Sequence, residues 1–144
     1  MFDRILYPTD FSDVSMKAVN YVKQLKKAGT KEVVVLHVID ERTLVVPDVF
    51  SGVDFMALEN ELRRIADEQC NKIVEQFQEV GLSAKFMVKK GIPFLDILKT
   101  AQEEDVSLIV IGSHGKSNLE EMLLGSVSEK VIRKAVRPVL VVKR

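Results

Sequence analysis

The chain has 144 residues, of which 47% are hydrophobic and 29% are charged, proportions typical of one globular domain with a buried core. Its 21 Lys and Arg residues balance 21 Asp and Glu residues, which argues against nucleic acid as a partner because binding a phosphate backbone needs a basic surplus. A single cysteine excludes an internal disulfide and fits a reducing compartment.

Nothing in the sequence predicts export or a membrane anchor. No stretch approaches the roughly 20 apolar residues that a membrane-spanning helix needs, and the opening MFDRILYPTD lacks the basic start and apolar run of a secretory signal. We therefore expect a soluble, cytoplasmic protein without a membrane partner. We also expect a single domain covering residues 1–144.

Short apolar runs alternate along the chain with longer segments of helical period. Gly29 and Gly81 are expected to stop the first two helices, and Pro93 suits the first turn of the third. The predicted strands cover residues 4–8, 32–38, 84–91, 107–112 and 138–142. The predicted helices cover residues 13–29, 54–80, 93–105 and 126–135. The apolar stripe predicted for the second helix is Leu58, Leu62, Ile65, Ile73 and Phe77.

Strands that alternate with helices predict an α/β fold, in which right-handed crossovers build a parallel sheet covered on both faces. Ligands of such sheets bind outside the carboxyl ends of the strands, where the strand order reverses. If the order is 3-2-1-4-5, the first and fourth strands flank that point. The residues that follow these two strands are then Thr9 and Asp10 on one side and Gly112–Gly115 on the other.

The stretch between the last two strands, GSHGKSNLEEMLLGSVSEKV, is rich in small residues. Gly112 and Gly115 follow a buried strand, where glycine allows a positive φ or a close approach of a ligand to the backbone. Gly125 and Ser126 begin the last helix, and a helix N-terminus favours phosphate. Ser126 and Ser128 are expected to add donors, and Lys116 is expected to add a charge. Neither a P-loop nor a G-x-G-x-x-G motif is present.

The pattern Gly112-x-x-Gly115, nine residues, Gly125-Ser126 resembles the nucleotide motif of the universal stress protein family, in its ATP-binding branch. The resemblance covers the whole chain. ILYPTDFSD is similar to the family's opening, LHVID to the end of its second strand, and GIP to its third strand-to-helix turn. The C-terminal segment of the family is matched by LLGSVSEKVIRKAVRPVLVVKR.

This resemblance implies a five-stranded parallel sheet in the order 3-2-1-4-5, like that of the adenine nucleotide alpha-hydrolases. It implies that ATP binds with Mg or Mn held through the phosphates, with no metal ligand from the protein. Asp10 would contact adenosine, the Val38 backbone would reach the adenine edge, and the glycine motif would hold ribose and phosphates. The residues implied to bind ATP are Pro8, Thr9, Asp10, Val38, Ile111, Gly112, His114, Gly115, Gly125, Ser126, Val127 and Ser128.

Several of these residues also have simpler structural roles open to them. Asp10 is a candidate cap for the first helix, a role compatible with ligand binding. His37 lies in an apolar strand end and is expected to pack rather than to bind a ligand, whereas His114 is expected to contribute mainly its backbone. The two histidines have no cluster of further ligands that would make a zinc site. Cys70, inside a helix, is expected to be inert.

Efficient catalysis is not expected from the motif. Phosphoryl transfer usually needs a metal held by protein groups and a cation that stabilises the transferred phosphate. The motif has no arginine, and its acids Glu120 and Glu121 are expected in a solvated turn rather than at a metal. The resemblance implies an ATP-binding stress or signalling module with at most slow hydrolysis. A true ATPase stays open, as does a dimeric adaptor whose cleft is empty or binds AMP. The downstream partner is not indicated.

Two expectations concern assembly and the ligand edge. In the order 3-2-1-4-5 the last strand lies at the sheet edge, and exposed apolar edges are normally covered or paired. We therefore expect a homodimer through Val139 to Val142, which the resemblance also implies.

The segment from Ile39 to Phe55 lacks a period and contains Pro47 and Gly52. We expect this loop to be mobile when empty and to order over the nucleotide or against a partner chain.

Overall fold

The computed structural model describes residues 1–44, 54–115 and 124–144. All strands within these residues form a parallel five-stranded sheet in the order β3-β2-β1-β4-β5, so the predicted fold class is confirmed. The strands are β1 (Arg4–Pro8), β2 (Glu32–Asp40), β3 (Ser83–Gly91), β4 (Leu108–Gly112) and β5 (Val139–Val142). The α-helices are α1 (Asp13–Leu25), α2 (Phe55–Glu79), α3 (Pro93–Glu103) and α4 (Ser126–Lys134), and 3₁₀ turns cover Lys26–Ala28 and Glu41–Thr43.

The sheet is buried on both faces because its central strands are almost wholly apolar. Alternate residues of β1 enter different clusters: Ile5 and Tyr7 pack with α1 and α2, and Leu6 packs with α3 and α4. All five residues of β4 are buried. Each face thus carries two helices, which is the doubly wound arrangement that near-continuous apolar strands favour.

The helix stops were predicted correctly. Gly29 has φ 101° and Gly81 has φ 89°, in the left-handed region that glycine adopts without steric cost. Lys26–Ala28 forms a 3₁₀ turn between α1 and Gly29, so the α-helix proper is four residues shorter than predicted. Pro93 occupies the first turn of α3, as expected.

The apolar stripe predicted for α2 is wrong in its first half. Leu58 and Ile65 are exposed. The buried residues of this helix are Ala66, Cys70, Ile73, Val74 and Phe77. A helix of 25 residues is about 37 Å long, whereas the nine-residue strands beside it span about 30 Å. The excess of about 7 Å is about five residues of helix, so only the first turn of α2 extends past the sheet. This explains the exposure of Leu58 but not that of Ile65.

The end of β2 also differs from the prediction. The strand continues to Asp40, because β3 pairs with it as far as Asp40 opposite Gly91. The segment from Ile39 to Phe55, predicted as a loop, therefore begins with two strand residues and a 3₁₀ turn, and its last residue begins α2. The rest of that prediction, for residues 45–53, lies outside the described residues. Within the described parts of the chain, no helix is both long and apolar enough to cross a membrane.

Candidate functional site

A cleft of about 460 Å³ opens at the carboxyl ends of β1 and β4, at the point where the strand order reverses. This volume lies in the range of small-molecule sites, about 300 to 1,000 Å³. All twelve residues predicted as a binding site line this one cleft: Pro8, Thr9, Asp10, Val38, Ile111, Gly112, His114, Gly115, Gly125, Ser126, Val127 and Ser128. The lining residues that the prediction missed are Ser15, Leu36, Asp40, Thr43, Pro93 and Ile97.

The N-terminus of α4 forms one wall of the cleft. Gly125 is its N-cap, and no described side chain bonds to that cap. The Gly125 N–H donates to the Ser113 carbonyl at 2.7 Å, and the Gly125 carbonyl accepts from Glu129 N–H at 2.9 Å. The first N–H groups of a helix lack partners inside the helix and carry partial positive charge. This wall is therefore suited to an anionic group.

The three motif glycines make close contacts within the protein. A Cβ on Gly112 would lie 3.1 Å from Ser15 N and 3.3 Å from Val14 C, both in the backbone of α1. A Cβ on Gly125 would lie 3.2 Å from His114 Cα, and one on Gly115 would lie 2.6 Å from Asp10 Oδ2. None of the three has a positive φ, so the conformational reason expected from the sequence is wrong. Their common role is to let neighbouring segments approach closely.

The turn after β1 is held by hydrogen bonds to Thr9 and Asp10. Thr9 N–H donates to the Leu36 carbonyl at 2.8 Å, and Thr9 Oγ1 accepts from Phe11 N–H at 3.0 Å. Asp10 Oδ1 accepts from Ser12 N–H at 3.0 Å. Ser12 is the N-cap of α1, so Asp10 does not cap this helix but braces the turn before it.

A buried network ties this turn to the start of α1. Tyr7 is fully buried, and its hydroxyl donates to the Ser15 carbonyl at 2.5 Å. Ser15 Oγ donates to Thr9 Oγ1 at 2.6 Å. Burial raises the pKa of Tyr7, so its hydroxyl stays a proton donor at neutral pH. The network fixes the floor of the cleft between β1 and α1.

The two histidine rings lie in different surroundings: His37 packs, as expected, and His114 borders the cleft. His37 Nδ1 donates to the Thr9 carbonyl at 2.8 Å, and its ring stacks on Phe11 with centroids 4.5 Å apart. His114 is buried, and its Nδ1 lies 2.7 Å from Ser113 Oγ. Both rings are therefore engaged by neighbouring residues. Of the two, only His114 lines the cleft.

The serines at the start of α4 differ from each other. Ser128 is buried, and its hydroxyl donates to the Gly112 carbonyl at 2.6 Å. The expectation that this hydroxyl serves as a donor to phosphate is therefore wrong, because its proton is used inside the protein. Ser126 is exposed and lines the cleft. Lys116, the expected charge, lies outside the described residues.

The β2 side of the cleft presents backbone groups and a carboxylate. The Leu36 carbonyl bonds to β1, and alternate residues of a parallel strand face the same neighbour. The N–H and C=O of Val38 therefore face the cleft, beyond the end of β1 at Pro8. Asp40 and Thr43 line the same side. The prediction missed Asp40 because it ended β2 two residues too early. A polar residue directly after an apolar strand is the sequence signal that could have identified it.

Metal and thiol chemistry find no support within the described residues. Among them, no group of three or more His, Cys, Asp or Glu side chains is placed to hold a metal ion. Cys70 is fully buried, and burial raises the pKa of its thiol to about 12. The thiol therefore stays protonated at neutral pH, as expected for an inert cysteine.

Comparisons with solved structures identify the same fold in other proteins. A solved structure of MJ0577 superposes with a TM-score of 0.91 at 44% identity, covering 100% of this chain and 97% of that one. A universal stress protein from Archaeoglobus fulgidus, solved in complex with dAMP, has a TM-score of 0.64 at 23% identity, covering 99% and 98%. Another universal stress protein, solved with cAMP, has a TM-score of 0.68 at 22% identity, covering 99% and 97%. These last two likenesses concern the fold.

Comparisons of sequence identify the family. The model of the universal stress protein family matches residues 1–143. The universal stress protein MJ0577 of Methanocaldococcus jannaschii is 45% identical, covering 100% of this chain and 96% of that protein. Universal stress protein YxiE of Bacillus subtilis is 36% identical, covering 99% and 100%. The chain therefore belongs to the universal stress protein family.

Proposed function

We propose that this chain is a cytoplasmic, nucleotide-dependent stress or signalling module that binds ATP in the cleft and hydrolyses it slowly at most. The observation that carries the proposal is the convergence of the predicted binding residues on one cleft, beside a helix N-terminus that no described side chain caps. Two proteins with this fold were solved with cAMP and with dAMP, which is consistent with an adenine nucleotide as the ligand of this cleft.

The phosphates are proposed to lie at the N-terminus of α4. Backbone N–H groups and the helix dipole favour anions there, and the exposed hydroxyl of Ser126 lies on the same wall. The lining residues that the structure describes include Asp10 and Asp40 but no Lys or Arg. A triphosphate therefore needs its charge offset, and we propose Mg or Mn carried on the phosphates.

The adenosine is proposed to lie on the β1 and β2 side. The N–H and C=O of Val38 give one donor and one acceptor there, which matches the hydrogen-bonding edge of adenine. Asp10 lies between this side and the glycine motif and is proposed to contact adenosine. The described lining residues lack the cation that would stabilise a transferred phosphate, which supports slow turnover rather than efficient catalysis.

Identification of a co-purifying ligand tests the proposal directly. The protein is purified without added nucleotide, its ligand is released with acid, and the supernatant is read at the adenine absorbance band and separated by chromatography. ATP supports the proposal, and AMP supports the open alternative. An empty protein that also fails to bind ATP in calorimetry supports a nucleotide-independent adaptor. A single-turnover assay with Mg²⁺ distinguishes slow hydrolysis from a true ATPase.

Replacing Asp10 with alanine is expected to weaken ATP binding several-fold with little loss of stability. The change removes a carboxylate that lines the cleft and one hydrogen bond to Ser12 N–H, a bond worth about 1 kcal/mol. Titration calorimetry measures the affinity and thermal unfolding measures the stability. Asp13→Ala is the matched control, because Asp13 carries the same charge in the exposed first turn of α1. Equal ATP affinity in wild type and Asp10→Ala would exclude a role for this carboxylate.

A homodimer through β5 is the second part of the proposal. In the observed order β5 lies at the sheet edge beside β4, and an edge strand can pair with its copy across a two-fold axis. The Val142 carbonyl accepts from Ser113 N–H, so Leu140 and Val142 direct their backbone groups to β4. Val139 and Val141 then direct theirs outward, to the proposed partner strand.

Val141→Pro is expected to raise the dimer dissociation constant at least tenfold, because proline removes an outward N–H and leaves the β4 ladder intact. Leu140→Lys is expected to weaken the dimer as well and to lower solubility. Leu140 packs partly on the protein's own core, so thermal unfolding must accompany that variant. Sedimentation equilibrium measures both constants. A wild-type protein that is monomeric at micromolar concentration would contradict this interface.

A further inference from the structure

The carboxylate of Asp40 stands at the opposite side of the cleft from the N-terminus of α4. Asp40 ends β2 and lines the cleft. Gly125, the N-cap residue of α4, instead bonds to Ser113, just beyond the end of β4. In the observed sheet order β2 and β4 are two positions apart, or about 10 Å across the strands. The cleft thus has a carboxylate at one end and a helix dipole at the other.

Arg42 holds the Asp40 carboxylate in a fixed orientation. Oδ1 accepts from Arg42 Nε at 2.9 Å, and Oδ2 accepts from Arg42 Nη2 at 2.7 Å. Such two-point pairs give geometric definition as well as strength. The hydrogen bonds from Arg42 hold the pKa of Asp40 below its usual range. The carboxylate is therefore ionised at neutral pH, and an ionised carboxylate can only accept hydrogen bonds.

The backbone of the following turn fixes the same group a second time. Asp40 Oδ1 also accepts from Arg42 N–H at 3.0 Å, and Thr43 Oγ1 donates to the Asp40 carbonyl at 2.7 Å. The 3₁₀ turn Glu41–Thr43 is thereby attached to the end of β2. The side chain of Asp40 remains 26% exposed while lining the cleft, so the carboxylate is both placed in advance and open to a ligand.

This distribution of charge orients any phosphorylated ligand. Phosphate is attracted by the N-terminus of α4, whereas the Asp40 carboxylate, with its charge offset by Arg42, gives phosphate nothing to bind to. The uncharged end of the ligand must therefore meet the β2 side. There it finds the N–H and C=O of Val38 and, two residues further along the same strand, the carboxylate of Asp40, an acceptor whose charge is offset by Arg42.

We infer that Asp40 determines which base the cleft accepts, by taking a hydrogen bond from an exocyclic amino group and by disfavouring a keto oxygen at the same position. This inference rests on the proposed function and specifies the base end of that site. A site built to bond an N–H group discriminates strongly against an analogue that lacks it. The cleft therefore selects 6-aminopurine nucleotides over 6-oxopurine nucleotides.

Competition between ATP and ITP tests this inference, because the two carry the same phosphates and ribose. The wild-type protein is expected to bind ATP at least tenfold more tightly than ITP in titration calorimetry with Mg²⁺. In Asp40→Asn the side chain gains a donor and loses its charge, so the ratio of the two affinities is expected to fall about tenfold. Any general effect of the lost charge on triphosphate binding cancels in this ratio.

Purine riboside triphosphate separates the two parts of the inference, since it lacks the amino group and adds no keto oxygen. It should bind the wild-type protein with an affinity between those of ATP and ITP. Glu41→Gln is the matched control, because it removes one negative charge from the same turn without altering a residue that lines the cleft. This variant is expected to keep the wild-type ratio.

The outcomes separate the inference from the proposed function. ATP binding with the same ratio in wild type and Asp40→Asn overturns the role of Asp40 and leaves the ATP site standing. Equal binding of ATP and ITP by the wild type does the same. If the wild type binds neither nucleotide, the proposed function itself is wrong and the inference falls with it. Should Asp40→Asn unfold, Asp40→Ala removes the acceptor without adding a donor, and an unchanged ratio of ATP to ITP affinity in that variant overturns the role of Asp40.

Discussion

Replacing Gly115 with valine is expected to lower the affinity for ATP at least tenfold, or about 1.4 kcal/mol. The first carbon of any side chain at this position would lie 2.6 Å from Asp10 Oδ2, which is too close for non-bonded atoms. The carboxylate must move, or the glycine loop must withdraw from it. Either change alters the floor of the cleft at the place proposed for ribose and phosphates. Titration calorimetry on a variant that is folded by circular dichroism measures the loss.

A double-mutant cycle identifies how the valine acts. If its effect passes through Asp10, then Asp10→Ala/Gly115→Val binds ATP about as well as Asp10→Ala alone, because the colliding group is already gone. If the valine obstructs the nucleotide directly, the two losses add. Unchanged ATP affinity in a folded Gly115→Val protein would mean that the nucleotide does not approach this loop.

Gly112→Ala is expected to destabilise the protein by about 1–3 kcal/mol, the usual cost of overfilling a packed site. The added methyl group would lie 3.1 Å from Ser15 N and 3.2 Å from Ser15 Cα. Both are backbone atoms in the first turn of α1, and the Tyr7 hydroxyl holds the carbonyl of the same residue. Helix α1 must therefore shift as a unit. Thermal unfolding is expected to show a melting temperature lower by roughly 4–10 °C.

Asn20→Ala provides the control for this loss of stability. Asn20 lies on the exposed face of α1, and substitutions on exposed surfaces usually change stability by less than about 0.5 kcal/mol. If Gly112→Ala melts at the wild-type temperature, α1 is free to move away from β4. The contact between Gly112 and the helix would then not explain the glycine.

The fold could be predicted because its strands carry an unusually clear pattern. A strand buried on both faces must be apolar at every position, and such runs mark β1, β2, β4 and β5. The intervening helices show their own period, and glycine stops two of them. The alternation of the two element types leads to the parallel sheet. Boundaries were predicted less well at Asp40, whose place in β2 depends on pairing with Gly91 of β3.

The residues that line the cleft were predicted from the strand order and from the family resemblance together. Parallel strands end at one edge, so residues just after β1 and β4 meet there whatever the details of packing. The predicted residues accordingly line a single cleft. Residues contributed from inside helices, such as Ser15 and Ile97, could not be chosen in advance, because helical periodicity marks a buried face without saying which turn reaches the edge.

The sequence by itself determined the class of fold, the parallel topology and the edge of the sheet at which the cleft opens. Only the tertiary structure decided what the individual side chains do there. Gly112 makes room for α1, Ser128 donates its proton to the Gly112 carbonyl, and Asp40 is fixed by Arg42 at the cleft. Each role depends on a partner brought near by the packing of separate elements or by a local turn. Periodicity and composition indicate burial, which is a property of one residue and its environment. A hydrogen bond or a close contact depends on the relative position of two residues.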